Sequence, residues 1–105
     1  MDSKGFQGGQ YRPLSQEQLE TIHNASLQIL ETIGMGFEEG LDDTAKMLAQ
    51  NGAEVDFSNR RIKFPRNLIE KEIEKAPSKV VLHGRDTQHD LDLTEDKVHL
   101  GTGGA

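Results

Sequence analysis

The residues of this 105-residue chain best suited to holding a metal or moving a proton are four histidines, His23, His83, His89 and His99. A metal centre needs ligands that converge at fixed spacing, and no two of the four stand four residues apart as a helical pair would. His23 falls at the edge of a helical apolar stripe. The other three fall on or beside separate expected strands. Asp90 and Asp92 lie near His89, but polar residues that alternate with Leu91 and Leu93 are ordinarily the solvated face of a strand. Gly101-Thr102-Gly103-Gly104 has the glycine density of a phosphate loop. It lacks the Gly-Lys-Ser/Thr ending, does not match the dinucleotide fingerprint, and opens no helix. The expectation there is a flexible exit or a close approach of backbone to another segment. The run Glu70-Lys71-Glu72-Ile73-Glu74-Lys75 combines an unfavourable Glu70/Glu74 pair with a favourable Glu72/Lys75 pair, and reads as the wet face of a helix. No Ser/His/Asp, Cys/His or paired-carboxylate arrangement stands out. No residue is therefore assigned to catalysis, to a cofactor or to a metal.

Composition narrows the function classes. The net charge of −6 argues against a nucleic-acid partner, which requires a concentrated basic surface. No apolar run approaches the roughly 20 residues of a membrane span, and the polar, Gly-rich opening lacks the apolar core of a secretory signal. The absence of cysteine excludes disulfides and thiolate zinc sites and fits a reducing compartment. The expectation is a cytoplasmic chain without nucleic-acid or membrane partners. With 33% apolar residues and no Trp, its core is thin or is completed from outside.

The elements that would position these residues follow from period and capping. Residues 1–13 read as a mobile arm and residues 14–105 as an α+β domain. Three helices are expected near Gln16–Ile33, Leu41–Gln50 and Pro65–Lys75. In the first, Ser15 and Gln18 form a capping box, with Leu14 and Leu19 as the hydrophobic staple. Leu19, Ile22, Ser26, Ile29, Leu30 and Ile33 recur at helical spacing as one buried stripe, and Gly34 is the stop. Leu41, Ala45, Leu48 and Ala49 give the second helix its apolar side. Leu68, Ile69, Ile73 and Ala76 do so for the third, with Pro65 at its first position and Pro77 ending it. Met35–Phe37 is a short extended stretch. Ala53–Phe64 reads as a hairpin turning at Ser58-Asn59. It pairs Phe57 with Arg60, Asp56 with Arg61, Val55 with Ile62 and Glu54 with Lys63, so that one face is apolar and the other carries opposite charges. Lys79–Gly84 is a further strand. Leu91–Leu93 and Val98–Leu100 form a last pair across a turn at Thr94–Lys97.

A series of short motifs then follows in order: Gly9-Gln10-Tyr11-Arg12-Pro13-Leu14-Ser15, Ile22-His23, and Leu27-Gln28-Ile29-Leu30-Glu31-Thr32-Ile33-Gly34. It continues with Leu48-Ala49-Gln50-Asn51-Gly52-Ala53-Glu54-Val55-Asp56, Arg61-Ile62-Lys63-Phe64-Pro65, Lys75-Ala76-Pro77-Ser78 and Gly101-Thr102-Gly103-Gly104-Ala105. This succession resembles the opening of the trimethylamine methyltransferase family, the corrinoid-dependent methylamine and quaternary-amine methyltransferases. The resemblance implies an N-terminal region that precedes a (β/α)8 barrel. It also implies a parent enzyme that moves a methyl group from a methylated or quaternary amine to the corrinoid of a separate protein. The barrel and its catalytic segments would lie beyond Ala105, leaving this chain a structural, inactive fragment whose implied partners are the missing C-terminal barrel, the corrinoid protein and, through exposed apolar surface, a second copy of itself. The alternative reading is a stand-alone interaction or structural module with the same N-terminal fold.

Overall fold

The computed structural model describes residues 5–104. They run as β1 (Phe6–Gln7), α1 (Gln16–Thr32), β2 (Met35–Gly36), α2 (Asp42–Gln50), β3 (Glu54–Asp56), β4 (Arg61–Lys63), α3 (Arg66–Lys75), β5 (Val80–Leu82), a 3-10 turn at Thr87–His89, β6 (Leu91–Leu93) and β7 (Lys97–Val98). The class is α+β, with three helices and small antiparallel sheets. The residues form two compact units, one of residues 14–76 and one of residues 5–13 with 77–104.

In the unit of residues 14–76, α1 starts as its capping box dictates. The Ser15 hydroxyl accepts the Gln18 amide at 3.2 Å, and Gln18 Oε1 accepts the Ser15 amide at 2.9 Å, which satisfies two of the amides a helix start leaves without partners. The helix stops at Gly34, whose φ of +74° is glycine's region and whose N–H reaches back to the Ile29 carbonyl at 2.9 Å. A Cβ there would lie 2.1 Å from the Ile62 carbonyl oxygen, so this glycine both ends α1 and lets β4 pass beside it. The sheet has the order β2-β4-β3. Its pairs Glu54–Lys63, Val55–Ile62 and Asp56–Arg61 are the expected register, and Met35–Ile62 adds the third strand.

The turn of this hairpin differs from expectation. Phe57 and Arg60 are not a ladder pair, because residues 57–60 form a four-residue turn. Asp56 holds it by accepting from the Ser58 amide at 3.0 Å, the Asn59 amide at 3.1 Å and the Asn59 side chain at 2.8 Å, and Arg60 takes φ +51°. Lengthening the loop by one residue on each side leaves the register unchanged. Pro65 lies just before α3 rather than at its first position. The Arg66 amide that follows is capped by Glu31 Oε2 from α1 at 2.9 Å, a carboxylate placed where the helix dipole favours one.

The core is small. Ala45, Ala53 and Ile62 are buried, and Phe37, Leu48, Val55, Phe64 and Leu68 surround them. The buried face of α1 is a correction to the expected stripe. Leu27 is its buried residue, whereas Leu19, Ile22, Ile29 and Ile33 are about half exposed. At 3.6 residues per turn Leu27 lies about 120° around the helix from the middle of that stripe. α1 is held instead by the segment that enters α3: the Arg66 side chain donates to Asn24, the Phe64 amide to the Leu30 carbonyl, and Glu31 caps α3. Ile73 and Ala76 of the expected α3 face are likewise exposed, as are Leu41 and Ala49 of the expected α2 face and Phe57 in the hairpin turn.

In the other unit, β5 pairs antiparallel with β6, Val80 opposite Leu93 and Leu82 opposite Leu91. The expected final pair is not formed. Thr94–Lys97 does turn, with Glu95 at φ +54° and the Lys97 amide on the Thr94 carbonyl. However, β6 spends its ladder on β5, and β7 pairs with β1, Phe6 opposite Val98. The stretch read above as an arm therefore carries a strand. An ion pair from Arg12 to Asp96 at 3.1 Å also joins it to the Thr94–Lys97 turn.

Candidate functional site

The four histidines stand in separate surroundings. His23 lies exposed on α1. His83 Nδ1 meets Asp90 Oδ2 at 2.9 Å, and the other Asp90 oxygen accepts the Gly84 amide at 2.9 Å. The Gly84 amide and then His83 hold the Asp90 carboxyl below the usual aspartate value. Asp86 accepts the Gln88 amide at 3.2 Å and so caps the 3-10 turn that carries His89. His99 Nε2 donates to the Asp92 carbonyl at 3.0 Å. Asp92 Oδ2 lies 3.7 Å from Lys79 Nζ and 3.9 Å from Lys97 Nζ. Pairs this exposed contribute little.

The His83–Asp90 pair has the form of an acid–base dyad, with a carboxylate fixing one nitrogen of an imidazole. Its evident work is local, since the same carboxylate closes the loop from Gly84 to Asp90. Sequence reading placed Asp90 on a solvated strand face and missed this clasp. The available signal was Gly84, where a Cβ would meet His89 Cβ at 2.9 Å. Among the described residues no group of three or more His, Asp or Glu is placed to hold a metal. Thus Asp90, Asp92 and His89 form no common site. No chemical step is assigned to these side chains.

Gly101, Gly103 and Gly104 have open space where a Cβ would stand, so no close backbone approach accounts for them. The charged run of α3 is a wet face, with Lys75 on Glu72 at 2.6 Å and Arg66 on Glu70 at 3.1 Å. Between α2 and α3 lies an open groove of about 640 Å³, lined by Met47, Leu48, Phe64, Leu68, Ile69 and Ile73. Sequence reading treated most of these side chains as interior. The groove can receive apolar side chains, but its nearest polar groups are committed: Asn51 donates to the Met47 carbonyl at 2.7 Å, and Glu72 takes Lys75.

Comparison with known proteins supplies what the geometry lacks. The family model described as trimethylamine methyltransferase (MTTB) matches residues 6–105. The chain is 36% identical over 84 residues to the trimethylamine methyltransferase MttB of Desulfitobacterium hafniense (strain DSM 10664 / DCB-2), covering 80% of this chain and 16% of that protein. It is 32% identical over 91 residues to the trimethylamine methyltransferase MttB of Methanosarcina thermophila, covering 83% and 18%. It is 26% identical over 88 residues to the glycine betaine methyltransferase of Desulfitobacterium hafniense (strain Y51), covering 84% and 18%. The chain thus spans less than a fifth of the length of these relatives, at their N-terminal end. A family match over nearly every residue, together with this identity, places the chain in the trimethylamine methyltransferase family.

Proposed function

We propose that this chain serves as the N-terminal segment of a cytoplasmic methyltransferase that moves a methyl group from a methylated or quaternary amine to the corrinoid of a partner protein. In this reading a (β/α)8 barrel follows the segment and carries the chemistry, and the segment itself is structural. The observation that carries it is the continuous match to methyltransferases named for trimethylamine and for glycine betaine over four-fifths of the chain. Two features accord with it. The Asp90 carboxylate and the His99 ring are spent on local structure, and large apolar residues of every helix are exposed. For the compartment, the support is the absence of cysteine and the finding that no helix of the described residues is long and apolar enough to cross a membrane.

The test is a chimaera in which this chain replaces the matched segment of the Desulfitobacterium trimethylamine methyltransferase. It is assayed beside the isolated chain with trimethylamine or glycine betaine and a reduced corrinoid protein. The chimaera should methylate the corrinoid and the isolated chain should not. A folded chimaera that is inert on both amines overturns the reading and leaves the stand-alone module. Turnover by the isolated chain overturns its structural role.

A further inference from the structure

We propose that the outer face of α1, formed by Leu19, Ile22, Ser26, Ile29 and Ile33, is the surface on which the rest of the methyltransferase polypeptide docks. This rests on the functional reading above and adds which face of the segment carries the contact. Ile22, Ile29 and Ile33 are 57%, 53% and 57% exposed, and the five residues follow one another at steps of three, four, three and four, an apolar seam on a helix. The seam runs the length of α1, about 25 Å for its 17 residues.

The chemistry around the seam fits cover by protein rather than water. The charged residues of α1 are Glu17, Glu20 and Glu31, and helical geometry puts all three within about 80° of Leu27, on the side away from the seam. Gln18, His23, Ala25, Leu30 and Thr32 flank it. The hydroxyls on or near this face already have partners on the helix itself: Ser26 donates to the His23 carbonyl at 2.7 Å and Thr32 to the Gln28 carbonyl at 2.6 Å. Burying them leaves no donor stranded. In a chain with 29% charged residues, a half-helix without Asp, Glu, Lys or Arg and with its hydroxyls internally satisfied suits an interface. The groove between α2 and α3 is the weaker candidate, because the Glu72–Lys75 ion pair stands on its rim.

Area decides the occupant. A strip about 25 Å long and about 10 Å wide covers on the order of 250 Å², well short of the roughly 800 Å² per partner of a stable association between separate chains. A second copy is therefore held poorly by this face. Polypeptide continuous with the segment needs far less area, because the tether supplies a high effective concentration. The relatives carry more than four-fifths of their length outside the matched segment. The docking surface on that polypeptide is then apolar and uncharged.

The test introduces Ile22→Glu and Ile29→Glu together, in the isolated chain and in the chimaera described above, with Lys71→Glu as a control on a wet face. In the isolated chain the double variant should leave the thermal midpoint in place. In the chimaera it should lower the midpoint by about 5 °C or more, and the control should not. An unmoved chimaera overturns the proposal. Equal losses in both proteins overturn it as well, since the side chains would then support the segment itself. A defined dimer of the isolated chain that the double variant splits, with the chimaera unaffected, assigns the face to a second copy and also overturns it. Should the chimaera fail to fold, the substitutions go into the aligned positions of the Desulfitobacterium enzyme, where an unchanged midpoint is decisive against the proposal. A folded chimaera that transfers no methyl group yet responds to the double variant refutes the functional reading and leaves the docking face standing.

Discussion

Replacing Gly34 by Ala tests the point where α1, β2 and β4 meet. The residue sits at φ +74°, a conformation that costs an L-residue about 1–2 kcal/mol. Stiffening of the unfolded chain offsets about 0.4–1 kcal/mol of a destabilised native state only where the new residue fits. Here it does not, because the new Cβ would stand 2.1 Å from the Ile62 oxygen and 2.9 Å from its carbon. Both are backbone atoms, so β4 must move by about an ångström. Ile62 is 5% exposed and pairs with both Met35 and Val55, and losing much of its burial costs a further 1.5–3 kcal/mol or so. The expected loss is about 3–4 kcal/mol, a large part of the stability of a small domain. Gly40→Ala is the control. Its φ is +90°, but nothing lies within 4 Å of the added Cβ, so only the backbone strain of about 1–2 kcal/mol applies. All three α-helices lie in the unit of residues 14–76, so urea unfolding followed by helical circular dichroism reads this unit directly. If Gly34→Ala and Gly40→Ala lose the same stability within about 0.5 kcal/mol, the close passage of β4 is refuted.

Two further outcomes concern the buried side of α1 and the loop from Gly84 to Asp90. Leu27→Ala removes a side chain that is 2% exposed and should cost about 2–5 kcal/mol, while Ile29→Ala in the isolated chain should cost less than about 1 kcal/mol; comparable losses in denaturant titrations would mean that α1 docks through the wrong side. The Asp90 carboxyl is held below its ordinary value of 3.8 by the Gly84 amide and His83; a depressed native value stabilises the Gly84–Asp90 loop above the unfolded value and loses that effect as pH falls through the folded one. An acid titration followed by nuclear magnetic resonance should show the Asp90 carboxyl and the Gly84 amide shifting together at a midpoint below 3.8, with the amide response absent in Asp90→Asn. A Gly84 amide indifferent to acid would refute the clasp.

What the sequence determined by itself is local. Ser15, Gln18 and Gly34 mark both ends of α1, because capping and left-handed backbone act within a few residues. The Glu54–Lys63, Val55–Ile62 and Asp56–Arg61 register was legible because a one-residue slip would turn every apolar side chain to the other face. Family membership was legible in the order of short motifs, although no single histidine or glycine cluster marked a site. The tertiary structure decided what depends on competition between distant partners. α1 offers one regular apolar seam and, on its other side, Leu27 among Glu17, Glu20 and Glu31. Periodicity favours the seam, but hydrogen bonds to Phe64 and Arg66 reward the other side. Alternation identified β6 and β7 as extended, yet could not choose their partners, because a ladder edge accepts any strand laid along it, and the fold lays β5 along β6 and β1 along β7. Asp90 read as a wet strand residue because its acceptors become useful only after the chain folds back to bring the Gly84 amide and His83 within reach.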